Sequence, residues 1–207
     1  MWGAGKSVLE KGLDAFAQRN WKRARQLLQD AALDAPSPNG DYHLALLLWR
    51  GLGGPREADG AVDLFKRAAR EGHVAAQTAF GLALAAGAGV KQDLDEARKV
   101  LRAAAGGDDV EAMFQLAQLS GPEEARRWLE RAAELGSPAA MMLLSDLLVA
   151  EEPVQALAWI YAGAALSPDD ALRKRAAAIA HEMTAVEIDA AQRAGRAHLR
   201  MLRHQNR

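Results

Sequence analysis

Four pairs of adjacent identical acids offer the most obvious chemistry: Asp108-Asp109, Glu123-Glu124, Glu151-Glu152 and Asp169-Asp170. Two acids in unequal surroundings are the minimum for general acid–base catalysis, one giving a proton and the other taking it. Each pair, however, lies at or just before an expected helix start. The positive end of the helix dipole favours acids there, which accounts for the pairs without catalysis. The five histidines, at 43, 73, 181, 198 and 204, form no HExxH or other ligand spacing, and the chain has no cysteine to complete a metal set. Surface or half-buried histidines are expected. Ser120, Ser145 and Ser167 lack nucleophile-elbow surroundings. Gly3, Gly5, Lys6 and Ser7 look like the tail of a phosphate-binding loop, but the earlier glycine and the preceding strand are missing, so a frayed N-terminus is expected. No catalytic, cofactor-binding or metal-binding residue is assigned, and no enzyme activity is expected.

The elements that would position any site are helical. Half of the 207 residues are hydrophobic, yet only 5% are aromatic, and alanine dominates the rest. Small residues suit close helix–helix contact, and the β-branched runs of a sheet are missing. The formal net charge of −1 selects neither nucleic acid nor an anionic membrane. No stretch approaches about 18 uncharged apolar residues, so no transmembrane segment is expected. The start, MWGAGKSVLEKGLDAF, has no apolar segment of signal-peptide length, and the expected location is cytoplasmic.

Five helical pairs follow one another. The first runs over 5–18 and 21–34, the second over about 41–51 and 57–71, and the third over about 74–86 and 94–105. The fourth runs over about 109–119 and 122–135, the fifth over 138–150 and 153–166. Each second helix repeats an apolar stripe at i, i+3, i+4, i+7 and i+8. In the third pair it reads Ala97, Val100, Leu101, Ala104, Ala105; in the fourth, Ala125, Trp128, Leu129, Ala132, Ala133; in the fifth, Ala156, Trp159, Ile160, Gly163, Ala164. Trp128 and Trp159 are expected in the core. The leading alanines, 24, 61, 97, 125 and 156, step by 37, 36, 28 and 31 residues, a repeat period. Pro36 to Gly40 reads as a break between pairs. Ser167-Pro168-Asp169-Asp170 reads as a helix start with Ser167 at the N-cap, and Thr184 to Glu187 as a capping box. The two closing helices are expected to cap the stack.

The stretch AQTAFGLALAAGAGVKQDLDEARKVLRAAA resembles a Sel-one-like repeat of the bacterial type, a relative of the tetratricopeptide repeat with a longer inter-helix turn. Ala76, Phe80, Gly81, Leu84, Gly87, Gly89, Val90, Asp93, Ala97, Leu101, Ala104 and Ala105 carry the resemblance. The second pair matches with Leu44, Ala45, Leu48, Gly51, Gly53, Ala61, Phe65, Ala68, Ala69 and Gly72, Ala45 standing where glycine is usual. The first pair is closer to a plain tetratricopeptide repeat through Gly12, Trp21, Ala24, Leu28, Ala31 and Pro36. The fourth lacks the GxGV turn. The expected fold is an all-α, right-handed α-solenoid of about five helix-turn-helix repeats with a C-terminal helical cap. One domain would span 1–207, with repeats at about 5–36, 40–72, 73–107, 108–136 and 137–167 and the cap at 168–203.

The resemblance implies a non-enzymatic adaptor or scaffold that holds another protein or peptide in a concave groove. The alternative it offers is an immunity or inhibitor protein that binds and blocks a toxin or effector. No cofactor and no small-molecule substrate are implied, and nucleic acid is not expected as a partner. Alignment with tetratricopeptide repeats assigns Tyr42, Leu46, Trp49 and Arg50 to the groove-lining face of a first helix. Phe114, Gln118, Met142 and Asp146 hold matching positions. A further feature is the spacing of Arg193, Arg196, Arg200, Arg203 and Arg207, which on one helix forms a basic stripe. Its bland reading is a solvated face near a helix C-terminus.

Overall fold

The computed structural model describes residues 6–205, with side chains as far as Leu202. Every regular element among them is an α-helix. A first compact unit, 1–109, holds α1 (Val8–Ala17), α2 (Trp21–Asp34), α3 (Pro38–Arg50), α4 (Ala58–Arg70), α5 (Val74–Ala86) and α6 (Leu94–Gly106). Each successive pair packs together, and α2 and α4 pack in turn on α3 and α5. A second unit, 110–207, holds α7 (Val110–Leu119), α8 (Pro122–Glu134), α9 (Pro138–Leu148), α10 (Pro153–Leu166), α11 (Asp170–His181) and α12 (Ala185–Gln205). There α10 is the hub, covered by α9, α11 and α12.

The alanine stripes are the cores. Ala24, Ala61, Ala97 and Ala156 are fully buried, with Leu28, Phe65, Leu101 and Ile160 four residues on beside them. Ala125 is half-buried; its pair is joined by only Ser120 and Gly121. The first helices supply the complementary surface, a buried small residue at Gly12, Ala45, Gly81, Ala117 and Ser145. The reason is steric. A Cβ on Gly81 would lie 2.6 Å from Leu101 Cγ, and one on Gly12 3.0 Å from Leu28 Cγ. Small residues thus let paired helices approach closely and bury the leucine between them.

The turns hold the next level of packing. Gly53 and Gly89 take φ of +76° and +71°, and each lies against the first turn of the preceding pair's second helix. Polar contacts join pairs as well. Arg25 on α2 donates to the Pro55 carbonyl at 2.7 Å and pairs with Glu57, the N-cap residue of α4. Arg126 on α8 repeats this with Glu152, the N-cap residue of α10, at 2.6 Å. Each arginine directly follows a leading alanine. Within the second pair, Arg67 holds the buried Asp41 by two hydrogen bonds.

Two helix starts differ from the sequence expectation. α3 begins at Pro38 because the Ser37 hydroxyl accepts the Gly40 N–H at 3.2 Å and proline suits the first helical position. The segment 38–40, read above as a break, is a first turn. At the C-terminal end Asp169, not Ser167, caps α11, accepting the Ala171 N–H at 2.9 Å; Ser167 closes α10 instead. The Thr184–Glu187 capping box is present. Ser7 caps α1 in a capping box with Glu10, and Lys6 pairs with Asp14. Gly3, Gly5, Arg207 and the side chains of Arg203 and His204 lie outside the described residues. Among the described residues no helix is long and apolar enough to cross a membrane.

Candidate protein-binding face

The spacing of Tyr42, Leu46, Trp49 and Arg50 puts all four on one side of α3, yet packing divides them by role. Tyr42 is half-buried. Its ring stacks on His73 at 4.5 Å, meets His43 edge-on at 5.4 Å and lies 6.0 Å from Phe65. Burial pushes its phenol pKa up. The Trp49 ring stands edge-on to Phe65 at 6.3 Å, with the Arg56 guanidinium 5.4 Å from its centroid. Tyr42 and Trp49 therefore serve packing inside the second pair and against the third.

Leu46 and Arg50 instead line a pocket of about 400 Å³ with Phe16, Ala17, Arg19, Trp21 and Leu52. Phe16 and Trp21 form one wall, edge to face at 5.4 Å, and His43 supports Phe16 at 4.7 Å. Arg19 and Arg50 are exposed, and neither has an ion-pair partner among the described residues. The side chains that complete this pocket, Phe16, Arg19 and Trp21, were absent from the sequence expectation. The signal for them is the short α1–α2 turn, where Arg19 takes a φ of +57° and Trp21 opens the next helix.

In the second unit Phe114 is half-buried and Gln118 exposed on α7. Met142 packs against the cluster of Leu157, Ile160 and Leu172, and Asp146 pairs with Arg175 of α11 at 2.6 Å. On α12, Arg193, Arg196 and Arg200 are exposed, and Arg193 pairs with Asp189. The opposite side of α12 packs inward through Ala191, Gly195 and Leu202, and His198 stacks on Trp159 at 3.7 Å. Trp159 is buried; Trp128 is half-buried and donates from Nε1 to Glu124 at 3.3 Å.

The four acid pairs lie at helix starts. Glu123 and Glu124 occupy the first turn of α8, Glu152 the N-cap of α10, Asp169 and Asp170 the start of α11, and Asp108 and Asp109 immediately precede α7. Among the described residues no group of three or more His, Asp or Glu could hold a metal ion.

Two histidines carry a pH dependence. The His73 Nδ1 accepts the Ala76 N–H at 3.2 Å and caps α5, a role open only to the unprotonated nitrogen. Burial lowers its pKa below 6.5, and the neighbouring His43 adds to this. Burial lowers His198 likewise, opposed by Glu134. In both cases the unfolded chain takes up the proton first. Stability is then intact above about pH 6.5 and declines as pH falls through and below that value. The melting temperature is expected to drop between about pH 7 and about pH 5. His73→Asn, which keeps a capping side chain but cannot titrate, should flatten that drop. An unaltered slope in the variant would refute the assignment.

The Sel1 repeat family matches residues 38–73, 74–109 and 110–137. Residues 38–137 are Sel1 repeats. A Sel1 repeat protein from Oxalobacter formigenes superposes with a TM-score of 0.67 at 23% identity, over 76% of this chain and 70% of that one. The protective antigen c5321 of uropathogenic Escherichia coli, which displays an SLR fold, gives 0.58 at 17% identity, over 94% of this chain and 53% of that one. These likenesses show the fold. An uncharacterized protein of Neisseria meningitidis serogroup B (strain ATCC BAA-335 / MC58) is 31% identical over 135 residues, 64% of this chain. The chain spans only 28% of that relative's length. Sel1 repeats typically mediate protein interactions, and the family is generally non-catalytic.

Proposed function

We propose that this protein is a non-enzymatic adaptor that holds another protein or peptide. Its principal contact is the pocket between α1, α2 and α3 of the first unit. One observation carries the reading: Phe16, Trp21 and Leu46 wall an apolar recess flanked by Arg19 and Arg50, neither ion-paired among the described residues. Aromatic and arginine side chains around a small recess are the composition of interface hot spots. Phe114 and Gln118 on α7 are proposed as contact residues of the second unit. Met142 and Asp146 are engaged by α11 and contribute less.

The test reverses the exposed charges and spares the packing residues. Trp49 is avoided because its ring packs on Phe65. Tagged wild-type protein and Arg19→Glu/Arg50→Glu are each used to capture partners from the native cell after crosslinking, with quantitative mass spectrometry as readout. At least one protein should be enriched on wild type and depleted about ten-fold or more on the variant, with circular dichroism and melting unchanged. An identical captured set on a well-folded variant would defeat the proposal.

A further inference from the structure

A larger cavity in the first unit is a different one. It measures about 660 Å³ and lies between α4, α5, the α5–α6 turn and α6. Phe80 and Leu84 of α5 close its bottom, and Val90 and Val100 are half-buried in its walls. The polar groups at its edge are not balanced. Both acids have work within the protein: Asp93 accepts the Asp95 and Glu96 N–H groups as the α6 cap, and Glu96 pairs with Lys99 at 3.3 Å. Lys66 and Arg70 on α4 and Lys91 in the turn are exposed, with no ion-pair partner among the described residues. The apolar floor thus carries three cations at its edge that have no ion-pair partner among the described residues.

We infer that this cleft is a second docking site, for an acidic peptide segment that places one large apolar side chain on Phe80 and Leu84 between flanking carboxylates. Charge complementarity chooses the occupant. Carboxylates flanking an apolar residue meet Lys66 and Arg70 on α4 and Lys91 in the turn, and the buried side chain leaves water for the apolar floor. A basic segment would face repulsion from Lys66, Arg70 and Lys91. A purely apolar one would leave the cations without counter-charge. The cleft lies between α4 and α6 and opens to solvent. It is lined by none of the residues of the α1–α3 pocket, so the two sites stand or fall separately.

Random linear peptides displayed on phage and selected against the full-length protein give an unbiased test. The expected enrichment is Asp or Glu on both sides of a single Leu, Ile, Phe or Trp. Binding of the synthesised winner, followed by fluorescence polarisation, should weaken about ten-fold or more in Lys66→Glu/Arg70→Glu and fall off at high salt. Ala103→Trp is the second variant. Ala103 is exposed on α6 and lines the cleft, so the new ring fills it without touching the core. It too should abolish binding. Enrichment of basic or neutral sequences, no enrichment, or winners bound equally by both variants would overturn the inference. Winners lost only in Arg19→Glu/Arg50→Glu would also overturn it, while supporting the first pocket.

Discussion

Gly53→Ala lowers stability by about 3 kcal/mol, the sum of a strained backbone and an overpacked contact. The residue is exposed, in a glycine-rich turn, where a methyl group would ordinarily be harmless. Two independent costs make it otherwise. Its φ of +76° is one that L side chains rarely adopt. Its Cβ would lie 2.4 Å from the Trp21 carbonyl oxygen and 2.8 Å from the Lys22 nitrogen, backbone atoms that cannot swing aside. Either the turn lifts off α2 or α2 moves. A loss of that size corresponds to a fall of roughly 10 °C in melting temperature for a chain of this length. Gly72→Ala separates the two costs. Gly72 has a φ of +84° but nothing within 4 Å of its Cβ, so only the backbone cost of about 1 kcal/mol applies. Gly106→Ala, with neither feature, is expected to be neutral or slightly stabilising. Thermal unfolding of the three variants, followed by circular dichroism, orders them Gly53, Gly72, Gly106 from most to least damaging. If Gly53→Ala melts with Gly72→Ala, the close approach to Trp21 is not real.

The repeats are legible in the sequence because their cause is local. A stripe such as Ala97, Leu101, Ala104 fixes which side of a helix is buried from the helical period alone, and the stripe recurs with every pair. Helix starts were less legible where two signals compete. Proline and glycine at 38 and 40 suggest a break, but Ser37 immediately before them supplies a cap, and the cap prevails. The divided roles of α3 were not legible at all. Tyr42, Leu46, Trp49 and Arg50 share one side of a helix, and only the neighbouring pairs decide which of them stays open. His73 comes from 31 positions along the chain to cover Tyr42, whereas Phe16 and Trp21 leave a recess beside Leu46 and Arg50. The cations of the α4–α6 cleft escaped for the same reason. Lys66, Arg70 and Lys91 read as ordinary surface charge until α5 is seen to lay an apolar floor beside them.

The ion pair of Asp41 and Arg67 is the other place where one substitution should be costly. Asp41 is 1% exposed, in the first turns of α3, and Arg67 of α4 holds both its carboxylate oxygens. Arg67→Met keeps the length of the side chain and removes the charge. It leaves a buried carboxylate without its counter-ion, a change that costs about 3–5 kcal/mol when both groups are fully buried. Here the Arg67 side chain is 42% exposed and the start of α3 lies at the acid, so about 2–3 kcal/mol is expected. Asp41→Asn in the same background removes the stranded charge and should recover part of the loss. A double-mutant cycle in chemical denaturation therefore gives a coupling of about 1 kcal/mol or more, with the double variant more stable than Arg67→Met alone. Additive losses, or an Arg67→Met variant within about 0.5 kcal/mol of wild type, would show that the pair is a surface contact of little weight. The pair also joins α4 to the N-terminal end of α3, the helix that carries Leu46 and Arg50. Loosening it should therefore weaken partner capture through the α1–α3 pocket even though neither Asp41 nor Arg67 lines it.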